Sequence, residues 1–141
     1  LYQEKNPEKR RSMISLEEYR ILLKAIEDLR IKCEEGSVII VEGREDKIAL
    51  ENLGVKGEII EISKIPNSVL VDRLGCREAV ILTDWDYRGE RISEQLERII
   101  EFKDVSIRMR IRSVVRKYIR SVEELPRFIE KIENVYGHRL L

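Results

Sequence analysis

Ser37-Val38-Ile39-Ile40-Val41-Glu42-Gly43 is the stretch on which the fold turns. Four β-branched residues in an unbroken run have the length of a strand, and the lack of polar alternation predicts that both faces are buried. Such a strand needs helices above and below it, and the flanking sequence supplies them. Upstream, Ser15 and Glu18 have capping-box spacing, and Leu16, Tyr19, Leu22, Leu23, Ile26 and Leu29 recur at helical intervals to about Ile31, with Gly36 as the stop. Downstream, a helix is expected from Glu45 to Leu53, closed by Gly54. A second strand follows from Glu58 to Ile62, then a short helix from Asn67 to Leu74. Ala79-Val80-Ile81-Leu82 reads as another buried strand, and a helix from about Glu90 to Phe102 comes after it.

Strands that alternate with helices at this spacing imply right-handed crossovers and a mainly parallel sheet, so the fold class is α/β with an added N-terminal helix. Ile107, Met109 and Ile111 alternate with Arg108, Arg110 and Arg112, which predicts a further strand with one buried and one basic face. Ser121 and Glu124 repeat the capping-box spacing before a helix carrying Leu125, Phe128, Ile129 and Ile132, with Pro126 in its tolerant first turn. The polar segment from Leu1 to Ser12 reads as a leader or arm ahead of Met13, and residues 13 to 141 as one domain.

With 27 basic and 27 acidic residues, net charge neither drives the chain onto nucleic acid nor forbids it, so only local patches can argue. Cys33 and Cys76 lack a second Cys or His at ligand spacing, which removes zinc and CxxC redox chemistry and leaves reduced thiols in a cytoplasmic protein. No apolar run approaches the length of a bilayer span, so a membrane role is not expected.

The residues that carry chemistry stand at two strand ends: Val41-Glu42-Gly43 and Thr83-Asp84-Trp85-Asp86. In parallel α/β sheets ligands bind at the carboxyl ends of strands, where acids from different strands converge. Alternation along an extended segment puts Asp84 and Asp86 on one side and Trp85 on the other, against the core more readily than against a base. Two carboxylates in one cleft either share a proton or hold a cation, and oxygen donors alone select a hard one: Mg²⁺, with Mn²⁺ able to substitute. The plainer alternative is that the aspartates cap the following helix and Glu42 occupies a solvated turn.

Val38 to Leu50, VIIVEGREDKIAL, resembles the first motif of the Toprim domain, and Val80 to Gly89, VILTDWDYRG, resembles its second, with the D-x-D-x-x-G pattern. The resemblance runs from about Ser37 to Leu125 and looks closest to small stand-alone prokaryotic Toprim proteins. Toprim domains also occur in primases, topoisomerases, OLD-family nucleases and an rRNA-maturing nuclease. The resemblance implies a Rossmann-like sheet and an acidic Mg²⁺ site of Glu42, Asp84 and Asp86, with Glu42 as general acid or base. Asp46 matches an acid that often follows in the first motif, or serves as a helix N-terminal charge. Gly43 and Gly89 match positions where the backbone turns sharply. Arg88 stands where topoisomerases often carry a third acid, which weakens a two-metal mechanism.

Arg44, Lys47, Arg88 and Arg91 flank the acidic motifs and are candidate phosphate contacts, joined by Arg108, Arg110 and Arg112 of the basic strip. The opposing reading of the strip is a face paired with acids from neighbouring helices. The expected function is Mg²⁺-dependent phosphodiester chemistry on RNA or DNA, nuclease-type cleavage or phosphoryl transfer. The alternative is a Mg²⁺- and nucleic-acid-binding module that works with a partner protein.

Overall fold

A computed structural model of the chain describes residues 14–140, with side chains to residue 136. The expected arm at Leu1 to Ser12 and Met13 lie outside the described residues. Six helices, α1 (Leu16–Glu34), α2 (Arg44–Asn52), α3 (Asn67–Leu74), α4 (Tyr87–Ile99), α5 (Ser106–Val115) and α6 (Leu125–Leu140), accompany four strands, β1 (Val38–Val41), β2 (Ile59–Glu61), β3 (Ala79–Ile81) and β4 (Lys103–Asp104). Short 3₁₀ turns occupy Ile62–Lys64 and Val122–Glu124.

The sheet is wholly parallel in the order β2-β1-β3-β4. β1 lies at its centre, with Ile39 opposite both Ile59 and Val80, and all four of its residues are fully buried. Alternation along the strands divides the interior in two. Ile39, Val41, Val80 and Leu82 face a core built with α1, α2, α5 and α6, while Val38, Ile40, Ala79 and Ile81 face a smaller one built with α3 and α4. The parallel α/β architecture expected from the strand runs is therefore present, and it is Rossmann-like, as the resemblance implies.

Helix α1 is set by its capping box, in which the Glu18 N–H donates to Ser15 Oγ and the Ser15 N–H to the Glu18 carboxylate. It buries Tyr19, Leu22, Ala25, Ile26, Leu29 and Cys33. Both described cysteines are free thiols, Cys33 buried and Cys76 exposed. Among the described residues no helix is long and apolar enough to cross a membrane.

One expected element is different. Residues 107 to 111 form no strand; they lie within α5, and the fourth strand is the two-residue β4 just before it. The buried positions Ile107, Arg108, Ile111, Val114 and Val115 follow a helical period, and Met109, which strand alternation would bury, is 55% exposed. The helix begins there because Asp104 Oδ1 accepts the N–H groups of Ser106 (2.7 Å) and Ile107 (3.2 Å), while its other oxygen pairs with Lys32. Asp104→Ala is expected to lower unfolding free energy by about 1–2 kcal/mol, measured by urea denaturation.

Candidate functional site

The connections leaving β1 and β3 part company. α2 returns over one face of the sheet and α4 over the other, so the carboxyl ends of these two adjacent strands border a crevice. Glu42 emerges on one side of it, Asp84 and Asp86 on the other. The two sides are tied directly: the Asp84 N–H donates to Glu42 Oε2 at 2.8 Å.

Each carboxylate commits one oxygen to backbone. Besides the Glu42 bond, Asp84 Oδ1 accepts the Val122 N–H at 2.8 Å, and Asp86 Oδ1 accepts the Gly89 N–H at 2.7 Å. Asp86 thus caps α4, as the plainer alternative held, while its second oxygen, like Glu42 Oε1 and Asp84 Oδ2, takes no hydrogen bond from a described residue. Asp46, in the first turn of α2, is buried and accepts from the backbone N–H of Gly43 (3.3 Å). It is both a helix-terminal charge and a member of the acidic group.

Burial pushes the Asp84 carboxyl up to about 7, against the pull of the Val122 hydrogen bond, and the charges of Asp46, Glu42 and Asp86 raise it further. Burial likewise raises Asp46 to about 6, opposed by the Gly43 hydrogen bond, with repulsion from Glu42 and Glu123 adding to the rise. Among the described residues no group of three or more Asp, Glu, His or Cys side chains is placed so that it could hold a metal ion. The donor chemistry still fits one class of ion: oxygen-only, anionic and mutually repelling, it suits a hard cation that keeps most of its water and takes one or two carboxylates.

A carboxyl with a raised folded pKa costs stability as pH rises from its unfolded value of 3.8 through its folded value of about 7, because folding then requires either a proton or an unfavourable charge. Asp84→Asn retains an oxygen for Val122 and removes that charge. In chelator, its melting temperature is expected to exceed the wild type's by about 3–6 °C above neutral pH, the gain shrinking towards zero near pH 4. Thermal melts across pH check this.

A buried guanidinium holds the crevice from beneath. Arg108, 4% exposed, donates Nε to the Thr83 carbonyl (2.8 Å) and Nη2 to the Asp84 carbonyl (2.6 Å) and Glu90 Oε1 (2.8 Å). Thr83 Oγ1 donates to the Gly89 carbonyl at 2.9 Å, and a Cβ on Gly89 would lie 2.0 Å from the Asp84 carbonyl oxygen. Gly89 is therefore demanded by close approach of backbone to backbone and not by a sharp turn. Gly43 is not demanded sterically: its backbone is extended at φ −150°, and a Cβ there would meet nothing within 4 Å. Gly89→Ala is expected to cost about 1–3 kcal/mol or more in urea denaturation, since one of two backbones must move.

The basic residues separate into two sets. Arg108 is interior, Arg110 pairs with Asp28 at 2.8 Å and Arg112 with Glu90 at 3.3 Å, so these three do not form the open basic face expected from strand alternation. Helical geometry turned Arg108 inward, and neighbouring helices supply acids to the other two. Arg44 and Arg88 are exposed and Lys47 half-buried, none with an ion pair to a described residue, while Arg91 Nη1 donates to the Tyr87 hydroxyl at 3.0 Å.

Sequence reasoning missed the third wall. Residues 119–124 close over the Asp84 loop: Trp85 is buried with its indole N–H on the Ile119 carbonyl (2.6 Å), its backbone N–H meets Arg120 O (3.2 Å), and the Val122 N–H donates to Asp84. The Ser121/Glu124 capping pair was legible, and Glu124 does accept from Ser121, but capping spacing says nothing about which loop the turn covers.

Comparison with known proteins gives relatives along most of the chain. A UPF0292 protein of Archaeoglobus fulgidus is 38% identical over 124 residues, covering 85% of this chain and 98% of that protein. A UPF0292 protein of Thermococcus gammatolerans is 37% identical, covering 88% and 95%, and one of Methanocaldococcus jannaschii 34% identical, covering 82% and 94%. A solved structure of an Aquifex aeolicus protein superposes with a TM-score of 0.61 at 29% identity, over 72% of this chain and 94% of that one. No protein-family model matches the chain.

Proposed function

The chain belongs to the UPF0292 family, and we propose that it carries a Toprim-type acidic site that performs Mg²⁺-dependent chemistry on nucleic-acid phosphodiesters in the cytoplasm. The observation that carries this reading is the set of three carboxylates at the β1/β3 crevice, each fixed by one oxygen and without a described hydrogen-bond donor at the other. Asp84 and Asp86, with Glu42, would hold the cation. When bound, such an ion neutralises carboxylate repulsion and polarises a phosphoryl oxygen. Glu42, oriented by its bond to the Asp84 N–H, would hold or pass a proton at the attacking or leaving hydroxyl through Oε1. Arg44, Lys47, Arg88 and Arg91, on the first two turns of α2 and α4, would take the flanking phosphates.

A second reading, an accessory module that binds Mg²⁺ and nucleic acid beside a partner protein, is favoured by the engagement of Arg108, Arg110 and Arg112 in internal pairs. Fewer cations are then left to grip a polymer. Labelled structured RNA and duplex DNA, incubated with the protein in Mg²⁺ or Mn²⁺, separate the two. Cleavage is expected to vanish in chelator and to fall about 100-fold or more in Glu42→Gln. Retarded migration without cleavage selects the module. A Mn²⁺ titration in which Asp84→Asn binds as the wild type does overturns both.

A further inference from the structure

Trp85, the aromatic residue of the acidic motif with the larger ring system, is only 8% exposed and hydrogen-bonded within the fold. Tyr87 is the reverse. It is the first residue of α4, next in sequence to Asp86, and at 77% it is the most exposed of the large hydrophobic side chains in the described residues. Its ring is nevertheless held. Arg91, one turn on, donates Nη1 to the hydroxyl at 3.0 Å, and its Cζ lies 5.7 Å from the ring centroid. The guanidinium sits toward the hydroxyl end of the ring and leaves most of the ring to solvent. An exposed aromatic whose orientation is already fixed loses little entropy on stacking.

On the reading of the acidic crevice as a phosphodiester site, we infer that Tyr87 is the stacking platform for an unpaired base beside the reacting phosphate, and that the substrate is single-stranded at that point. A paired base has its faces covered by neighbours and gains nothing from the ring; an unpaired one exposes both faces. Arg91 serves twice, as the brace of Tyr87 and as a cation beside the same nucleotide, and Arg88 lies between them in the first turn without an ion pair to a described residue. A pair that merely stabilised the helix would support folding slightly and contribute nothing to binding.

Binding of a short fluorescein-labelled single strand, as RNA and as DNA, and of the corresponding blunt duplex is measured by anisotropy in Mg²⁺ on the Glu42→Gln protein, so that no strand is cut. The single strand is expected to bind more tightly than the duplex. Adding Tyr87→Ala should weaken single-strand binding by about 10-fold or more and leave the duplex nearly unchanged, whereas Tyr87→Phe should keep most of the affinity. Equal single-strand affinity with and without Tyr87, equal losses for strand and duplex, or no binding of either polymer overturns the inference. A parallel Mn²⁺ titration of Tyr87→Ala made in the wild-type background, expected to match the wild type, tells these failures apart from a failure of the acidic-site reading, in which the wild type itself binds no Mn²⁺.

Discussion

Arg108 sits where the sheet ends and the candidate site begins. Its guanidinium, nearly removed from solvent, holds the carbonyls of Thr83 and Asp84 and the carboxylate of Glu90 at once. These contacts settle three matters together: the path of the chain leaving β3, the seating of α4 against that path, and the position of α5 beneath both. The charge is tolerated in the interior because carbonyl dipoles and one carboxylate satisfy it from several directions. A lysine could present a charge but not a planar fork that reaches two carbonyls and an acid at fixed angles.

Above this support the electrostatics run the other way. Four acids, Glu42, Asp46, Asp84 and Asp86, are gathered here; burial and the neighbouring charges disfavour ionisation of Asp84 and Asp46, and backbone N–H groups offset only part of that cost. A fold seeking stability alone would replace one with an amide. Carboxylates drawn together against their repulsion, at the crevice where the parallel sheet changes winding direction, are the arrangement expected of a binding centre.

The central strands and the acids at their ends were legible because the signals are local: an unbroken β-branched run, a capping pair, an acid immediately after a strand. What was not legible depends on distance. Residues 107 to 111 satisfy a period of two over five positions, and only the continuation to Val114 and Val115, with Met109 left outside, reveals the helix. That error carried Arg108 onto an imagined surface when it belongs to the interior. The closure of residues 119–124 over the Asp84 loop was invisible for a related reason, since a turn's partners lie across the fold and leave no spacing in the sequence.

That closure also bears on the order of assembly. The crevice is stitched from positions 42, 84 and 122, joined by the Asp84 N–H to Glu42 and the Val122 N–H to Asp84, so its contacts span much of the chain. Contacts between residues so remote in sequence carry a large loop-closure cost and form after local helices and neighbouring strand pairs. During synthesis, residues 37 to 104 can emerge and pair as a sheet, which brings Glu42 beside Asp84 while both are still open to water. The segment at 119–124 arrives later and lays the Ile119 carbonyl and the Val122 N–H over the Asp84 loop, so the burial that disfavours the Asp84 charge is among the last properties this chain acquires as it folds.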